Sequence, residues 1–173
     1  MVHTDKIYLI GFMGSGKSTT GRRLAACLKW SFIDLDREIE KNTGRKIKDI
    51  FQEMGEHYFR LSESDALQKT KSVSKAVIST GGGAPCFGEN MKFMVDNGLT
   101  VYLKLTPEQL HERLINSRGE RPLLQGIQRN ELLKYISAKL TDREKWYSEA
   151  DIVIDGYNTG FNELCGEVKR LIR

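Results

Sequence analysis

The chain has 173 residues, 39% of them hydrophobic and 29% charged, with a net charge of +4, which is ample for one domain with its own core. That balance excludes a disordered chain, and no apolar run approaches the ~20 residues of a membrane span. The mild positive charge suits phosphate-bearing ligands, while the lack of basic runs interleaved with aromatics argues against nucleic acid. Residues 1–6 carry no signal-peptide core, so the expectation is a cytoplasmic protein. Cys27, Cys86 and Cys165 are odd in number and widely spaced. They predict separate thiols in a reducing compartment, with neither a disulfide framework nor metal-ligand spacing.

In chain order, Ile7-Tyr8-Leu9-Ile10 is an apolar run suited to a buried parallel strand, and Leu24, Ala25 and Leu28 mark an amphipathic helix behind it. Ser31-Phe32-Ile33-Asp34-Leu35-Asp36 predicts a second strand that ends in two carboxylates. A helix-prone region follows, over 37–41, then through Ile47, Ile50, Phe51 and Met54 to a stop at Gly55, then over 58–69. Residues 76–80 read as a β-branched strand running into Gly81-Gly82-Gly83, and 91–96 as a short helix closed by Asn97-Gly98. The next strand is 99–105, and Thr106-Pro107 caps a helix reaching about Asn116. A polar segment, 117–128, leads to a helix over about 130–148, a strand over 152–155 and a closing helix over 161–172. Strands alternating with helices predict a doubly wound α/β fold, a five-stranded parallel sheet flanked by helices.

The strongest motif is Gly11-Phe12-Met13-Gly14-Ser15-Gly16-Lys17-Ser18, which reads G-x-x-x-x-G-K-S between a strand and a helix. Glycines let the backbone wrap phosphates with its N–H groups inward, and the helix start adds partial positive charge. Lys17 can reach the β- and γ-phosphates, and Ser18 offers a hydroxyl to Mg²⁺. This is a nucleoside-triphosphate site. Asp34 and Asp36 are two residues apart, so in an extended segment they point to the same side. One could hold Mg²⁺ and the other meet an acceptor hydroxyl; the plainer role is a helix cap near Arg37. The triple glycine after a strand permits close approach of a small polar ligand, or is a loose turn. Arg60, in Tyr58-Phe59-Arg60, stands on a helix with two aromatic neighbours, and Arg143 stands among charges, where solvated arginines are common. The segment Arg118-Gly119-Glu120-Arg121-Pro122-Leu123-Leu124 has the composition of a flap that brings a guanidinium over a γ-phosphate.

Together these residues resemble the shikimate kinases, small members of the nucleoside-monophosphate-kinase-like branch of phosphate-loop enzymes. The matching residues are the phosphate loop, Asp34-Leu35-Asp36, Arg60-x-x-Glu63, Ser79-Thr80-Gly81-Gly82-Gly83, Arg121-Pro122-Leu123-Leu124, and Arg143 with Tyr147. They span nearly the whole chain. The resemblance implies a single kinase domain over 1–173 with a small helical substrate-binding region at about 36–70 and a mobile lid at about 117–128. It implies transfer of the ATP γ-phosphoryl group to the 3-hydroxyl of shikimate, giving shikimate 3-phosphate in aromatic amino-acid biosynthesis. Asp36, Lys17 and Arg121 would be catalytic. Asp36, Arg60, Gly81, Gly82, Gly83 and Arg143 would bind the acceptor, with the two arginines on its carboxylate. Gly14, Ser15, Gly16, Lys17, Ser18, Thr19, Arg113, Arg118, Arg121 and Asn158 would bind the nucleotide, and Ser18 with Asp34 would hold Mg²⁺. The expected partners are small molecules, bound by a monomer without nucleic acid or membrane. Two departures bear on local backbone shape: Ala84-Pro85-Cys86 stands where aliphatic residues are usual, and Lys145 where proline is usual.

Rival readings are a related kinase acting on gluconate or a nucleoside monophosphate, and a nucleotide-dependent regulatory module without acceptor chemistry. The triple glycine and Arg60-x-x-Glu63 argue against the first. The presence of both Asp36 and a flap arginine argues against the second.

Overall fold

A computed structural model describes residues 4–117 and 122–172. Five strands, β1 (Lys6–Ile10), β2 (Ser31–Asp34), β3 (Ala76–Ser79), β4 (Leu99–Lys104) and β5 (Ile152–Asp155), form one sheet in the order β2-β3-β1-β4-β5. Every neighbouring pair is parallel. The helices are α1 (Lys17–Leu28), α2 (Leu35–Thr43), α3 (Ile47–Lys69), α4 (Asn90–Asn97), α5 (Pro107–Ile115), α6 (Leu132–Tyr147) and α7 (Phe161–Leu171).

The central strand shows why the sheet is layered. Alternate residues of a strand face opposite sides, and in β1 both sides are apolar. Ile7 and Leu9 join Leu24 and Ala25 of α1 and Leu164, Cys165 and Val168 of α7 in one buried layer. Tyr8 and Ile10 join side chains of α2, α3, α4, α5 and α6 in the other. A strand buried on both faces reads as a continuous apolar run. The edge strand β5 instead alternates buried and exposed residues.

From β3 the chain crosses over β1 to reach β4 on its other side. The loop after β1 therefore lies at the point where strand order reverses, which is where open α/β sheets leave a crevice for ligands.

The expectation of separate thiols is corrected at two positions. Cys27 on α1 and Cys165 on α7 are bridged as a disulfide, their Cα atoms 6.9 Å apart. Their separation of 138 residues hid a proximity that exists because both helices lie on the same face of the sheet. Cys86 remains a thiol, and burial pushes it up to about 11. Among the described residues, no helix is long and apolar enough to cross a membrane.

Candidate active site

The loop from Gly11 to Gly16 joins the end of β1 to the start of α1. Gly14 and Gly16 have φ of 82° and 94°, values that side-chain-bearing residues avoid. Gly16 occupies the N-cap of α1 and no side chain caps that end. The N–H groups of its first turn, which lack intrahelical acceptors, therefore point into the loop together with the positive end of the helix. Lys17 is buried, and its ammonium donates to the carbonyls of Gly11 at 2.8 Å and Phe12 at 2.9 Å. A cavity of about 350 Å³ opens against Gly14, Gly16, Lys17, Ser18 and Thr19.

Asp34 and Asp36 border the same cavity, but they converge for a different reason from the one expected. The strand stops at Asp34, and α2 begins at Leu35, which is fully buried. Asp36 lies in the first helical turn, where a carboxylate is favoured by the helix dipole. Contrary to an extended segment over 34–36, a strand-to-helix turn brings the pair together. Asp34 takes the N-cap position without capping through its side chain. Its carboxylate instead accepts a hydrogen bond from Ser18 Oγ at 2.8 Å, and the same hydroxyl lies 3.3 Å from Ser79 Oγ. Hydroxyl and carboxylate oxygens side by side are hard donors, and this set fits Mg²⁺, which takes few protein ligands and keeps waters and phosphate oxygens. Burial, with Asp34 next to it, raises Asp36 above the ordinary carboxylate range, against the pull of Lys17 and Arg60.

A second cavity, of about 590 Å³, is lined by Asp34, Asp36, Arg60, Glu63, the three glycines and the rings of Phe51 and Phe59. It meets the phosphate cavity at Met13, Asp34, Asp36, Gly81 and Gly82, which border both. Gly55, with φ 82° and ψ 170°, breaks α3 where the sequence placed a stop, and Phe51 and Phe59 touch across the break, centroids 4.6 Å apart. Arg60 is only 7% exposed and donates to Glu63 at 2.7 Å and Glu56 at 3.2 Å. Glu63 is fully buried beside Arg60 and Asp36, and burial pushes its carboxyl up to about 7. Its Oε1 has no hydrogen-bond partner among the described residues. Arg143 is 8% exposed, lies over the Phe12 ring at 5.2 Å, and has a buried Nη1 without a hydrogen-bond partner among the described residues. With Arg60, Gly83 and Cys86 it lines an adjoining cavity of about 440 Å³. Neither arginine is a solvated surface residue.

Arg113 bridges the phosphate loop to the turn after β5, donating to Ser15 O at 3.1 Å and Gly156 O at 3.3 Å. The hydroxyl of Ser15 is buried. Asn158 lies apart from these cavities: its carboxamide donates to Asp155 at 2.7 Å, and it borders a separate cavity of about 760 Å³ with Leu105 and Thr106. Arg118 and Arg121 lie outside the described residues. Ala84-Pro85-Cys86 forms one 3-10 turn, and α6 runs unbroken past Lys145 to Tyr147. The partnership of Glu56 with Arg60 was not read from the sequence, although its i,i+4 spacing is a usable signal. The bond from Tyr147 to Gly82 O, at 2.5 Å, has no sequence signal.

A parallel sheet with a phosphate loop at its switch point, opening onto a second cavity built on a helical excursion, defines a phosphate-loop kinase of the nucleoside-monophosphate-kinase-like type. The sequence model for shikimate kinase matches residues 13–173. A shikimate kinase of Parabacteroides distasonis is 43% identical over 150 residues, covering 87% of each chain. The crystal structure of shikimate kinase from Bacteroides thetaiotaomicron superposes with a TM-score of 0.87 at 36% identity, over 96% of this chain and 97% of that one. That of Acinetobacter baumannii in complex with shikimate gives 0.84 at 37%, over 98% and 93%. A gluconokinase from Sinorhizobium meliloti, at 17% identity over 99% and 95%, shares the fold alone with a TM-score of 0.60. The chain belongs to the shikimate kinase family.

Proposed function

We propose that this chain phosphorylates the 3-hydroxyl of shikimate with ATP, releasing shikimate 3-phosphate and ADP. The observation that carries the reading is that Asp36 borders both the phosphate cavity and the arginine-bearing cavity, as a group between donor and acceptor must. Phosphoryl transfer asks the protein chiefly for positioning and for neutralisation of charge. Backbone N–H groups of Gly14, Ser15 and Gly16, with Thr19 at the start of α1, cradle the phosphates. Lys17 exchanges its loop carbonyls for phosphate oxygens, and Arg121 adds a second positive charge. Bound between Ser18 and, through water, Asp34, Mg²⁺ would offset charge on the β- and γ-phosphates. Asp36 orients the acceptor hydroxyl and takes its proton. Arg60 and Arg143 grip the acceptor carboxylate with forked, permanently charged donors, and the Gly81–Gly83 backbone closes the pocket. Arg113 or Arg118 covers the adenine, and the turn at Tyr157-Asn158-Thr159 meets its edge. The working unit is a monomeric cytoplasmic kinase domain over 1–173 with an acceptor region at about 36–70 and a lid at about 117–128.

The test is ADP release with ATP and Mg²⁺ against shikimate, gluconate and AMP in parallel. Turnover with shikimate alone is expected. Turnover with gluconate or AMP would keep the phosphate site and overturn the acceptor, and ATP binding without turnover on any would move the regulatory reading forward.

A further inference from the structure

We propose that Tyr147 is a positioning residue for the acceptor: through the Gly82 carbonyl, its hydroxyl sets the spacing between the phosphate loop and the acceptor pocket. The inference rests on the kinase reading above. Tyr147 closes α6 one turn after Arg143, and it is fully buried. Its hydroxyl donates to Gly82 O at 2.5 Å. Its ring leans on that of Tyr102 in β4, centroids 4.9 Å apart. The phenol is thus backed by the sheet and holds the middle glycine at its tip.

Gly82 rests directly on the phosphate loop: a Cβ placed on it would lie 3.0 Å from Met13 N and 3.4 Å from Gly11 O. The next residue, Gly83, lies so close to Arg60 that a Cβ there would meet the guanidinium at 2.5 Å. One backbone unit therefore touches the donor loop on one side and the carboxylate-binding arginine on the other. Ala84 N and Cys86 N hold the carbonyls of Gly81 and Gly83, and the Tyr147 hydroxyl holds the middle one. Burial holds the phenol above its usual range, against the pull of Arg143, which also hydrogen-bonds the hydroxyl. The donor therefore keeps its proton at any working pH and steadies the acceptor-binding arginine as well as the glycine turn.

The plainer role, ring packing in the core, leaves the hydroxyl dispensable. Tyr147→Phe removes the hydroxyl and keeps the ring. The expected result is a KM for shikimate raised about 5- to 10-fold, the scale of one buried hydrogen bond. The KM for ATP should stay within about twofold, with a Tm within a few degrees of wild type. Tyr102→Phe is the control, since that hydroxyl reaches Glu144, at 3.4 Å, and not the glycine turn; both KM values should hold there. An unchanged shikimate KM in Tyr147→Phe overturns the proposal. So does an equal rise in both KM values, a Tm collapse that accounts for the loss, or the same acceptor defect in Tyr102→Phe. If the wild type turns over a different acceptor, the functional reading fails and the same comparison on that acceptor decides the role of Tyr147.

Discussion

Asp36 is subject to opposing influences that its chemistry needs. Burial and Asp34 favour its proton, while Lys17 and Arg60 favour its charge, and the balance leaves it above the ordinary carboxylate range. A base must be ionised to accept the acceptor proton, so protonation at acid pH removes activity, and a raised value moves that loss upward in pH. The acid limb of kcat/KM for shikimate should therefore fall at a pH above that of an ordinary aspartate. Asp36→Asn should keep ATP binding, abolish that limb and lower turnover by at least ~10²-fold. Calorimetric titration of ATP alongside turnover from pH 4 to 8 checks both; undiminished turnover removes Asp36 from the mechanism. The arginines were legible as candidates but not as buried groups. Nothing local distinguishes Arg60 from a solvated helix residue, because its burial comes from the glycine turn closing over it from a distant strand.

Among the elements, those with a strong local signature were readable and those set by junctions were not. The strands, the phosphate loop, the Gly55 break and the Thr106 N-cap follow from periodicity, glycine or cap chemistry within a few residues. The Asp34-Leu35-Asp36 junction was misread as strand because Leu35 suits either state, and its burial under the sheet decides for helix. The disulfide between α1 and α7 was missed because it depends on which face each helix covers. The last turn of α5 meets the phosphate loop, where Arg113 holds Ser15, just before the arginine-rich segment proposed as a lid. Amide hydrogen exchange over 117–128 should slow when nucleotide and acceptor bind together, more than with either alone. Equal exchange in the free and doubly bound enzyme would exclude a lid there.

For the molecule as a whole, the buried Glu63 carboxyl should make stability depend on pH. Its folded-state value is about 7, against an ordinary 4.5. Below about 4.5 both folded and unfolded chains hold the proton; between the two values the unfolded chain releases it first, so stability falls as pH rises and levels off above about 7. Glu63→Gln has no such titration. Urea unfolding at pH 4.5 and 7.5 should show the stability of Glu63→Gln relative to wild type rising by on the order of 1–3 kcal/mol. A constant difference would reject the assignment.

The strand order carries a consequence for how the chain comes into being. A ribosome makes β1 first, yet its partners are late: Lys6 pairs with Ala76 and Ile7 with Leu99. Until β4 has emerged, the central strand lacks the second of its two neighbours, and loop closure over such distances is slow. Gly11 to Ser18 spell out the phosphate loop in eight consecutive residues, but the strand that carries it is flanked on both sides only once β4 has been made.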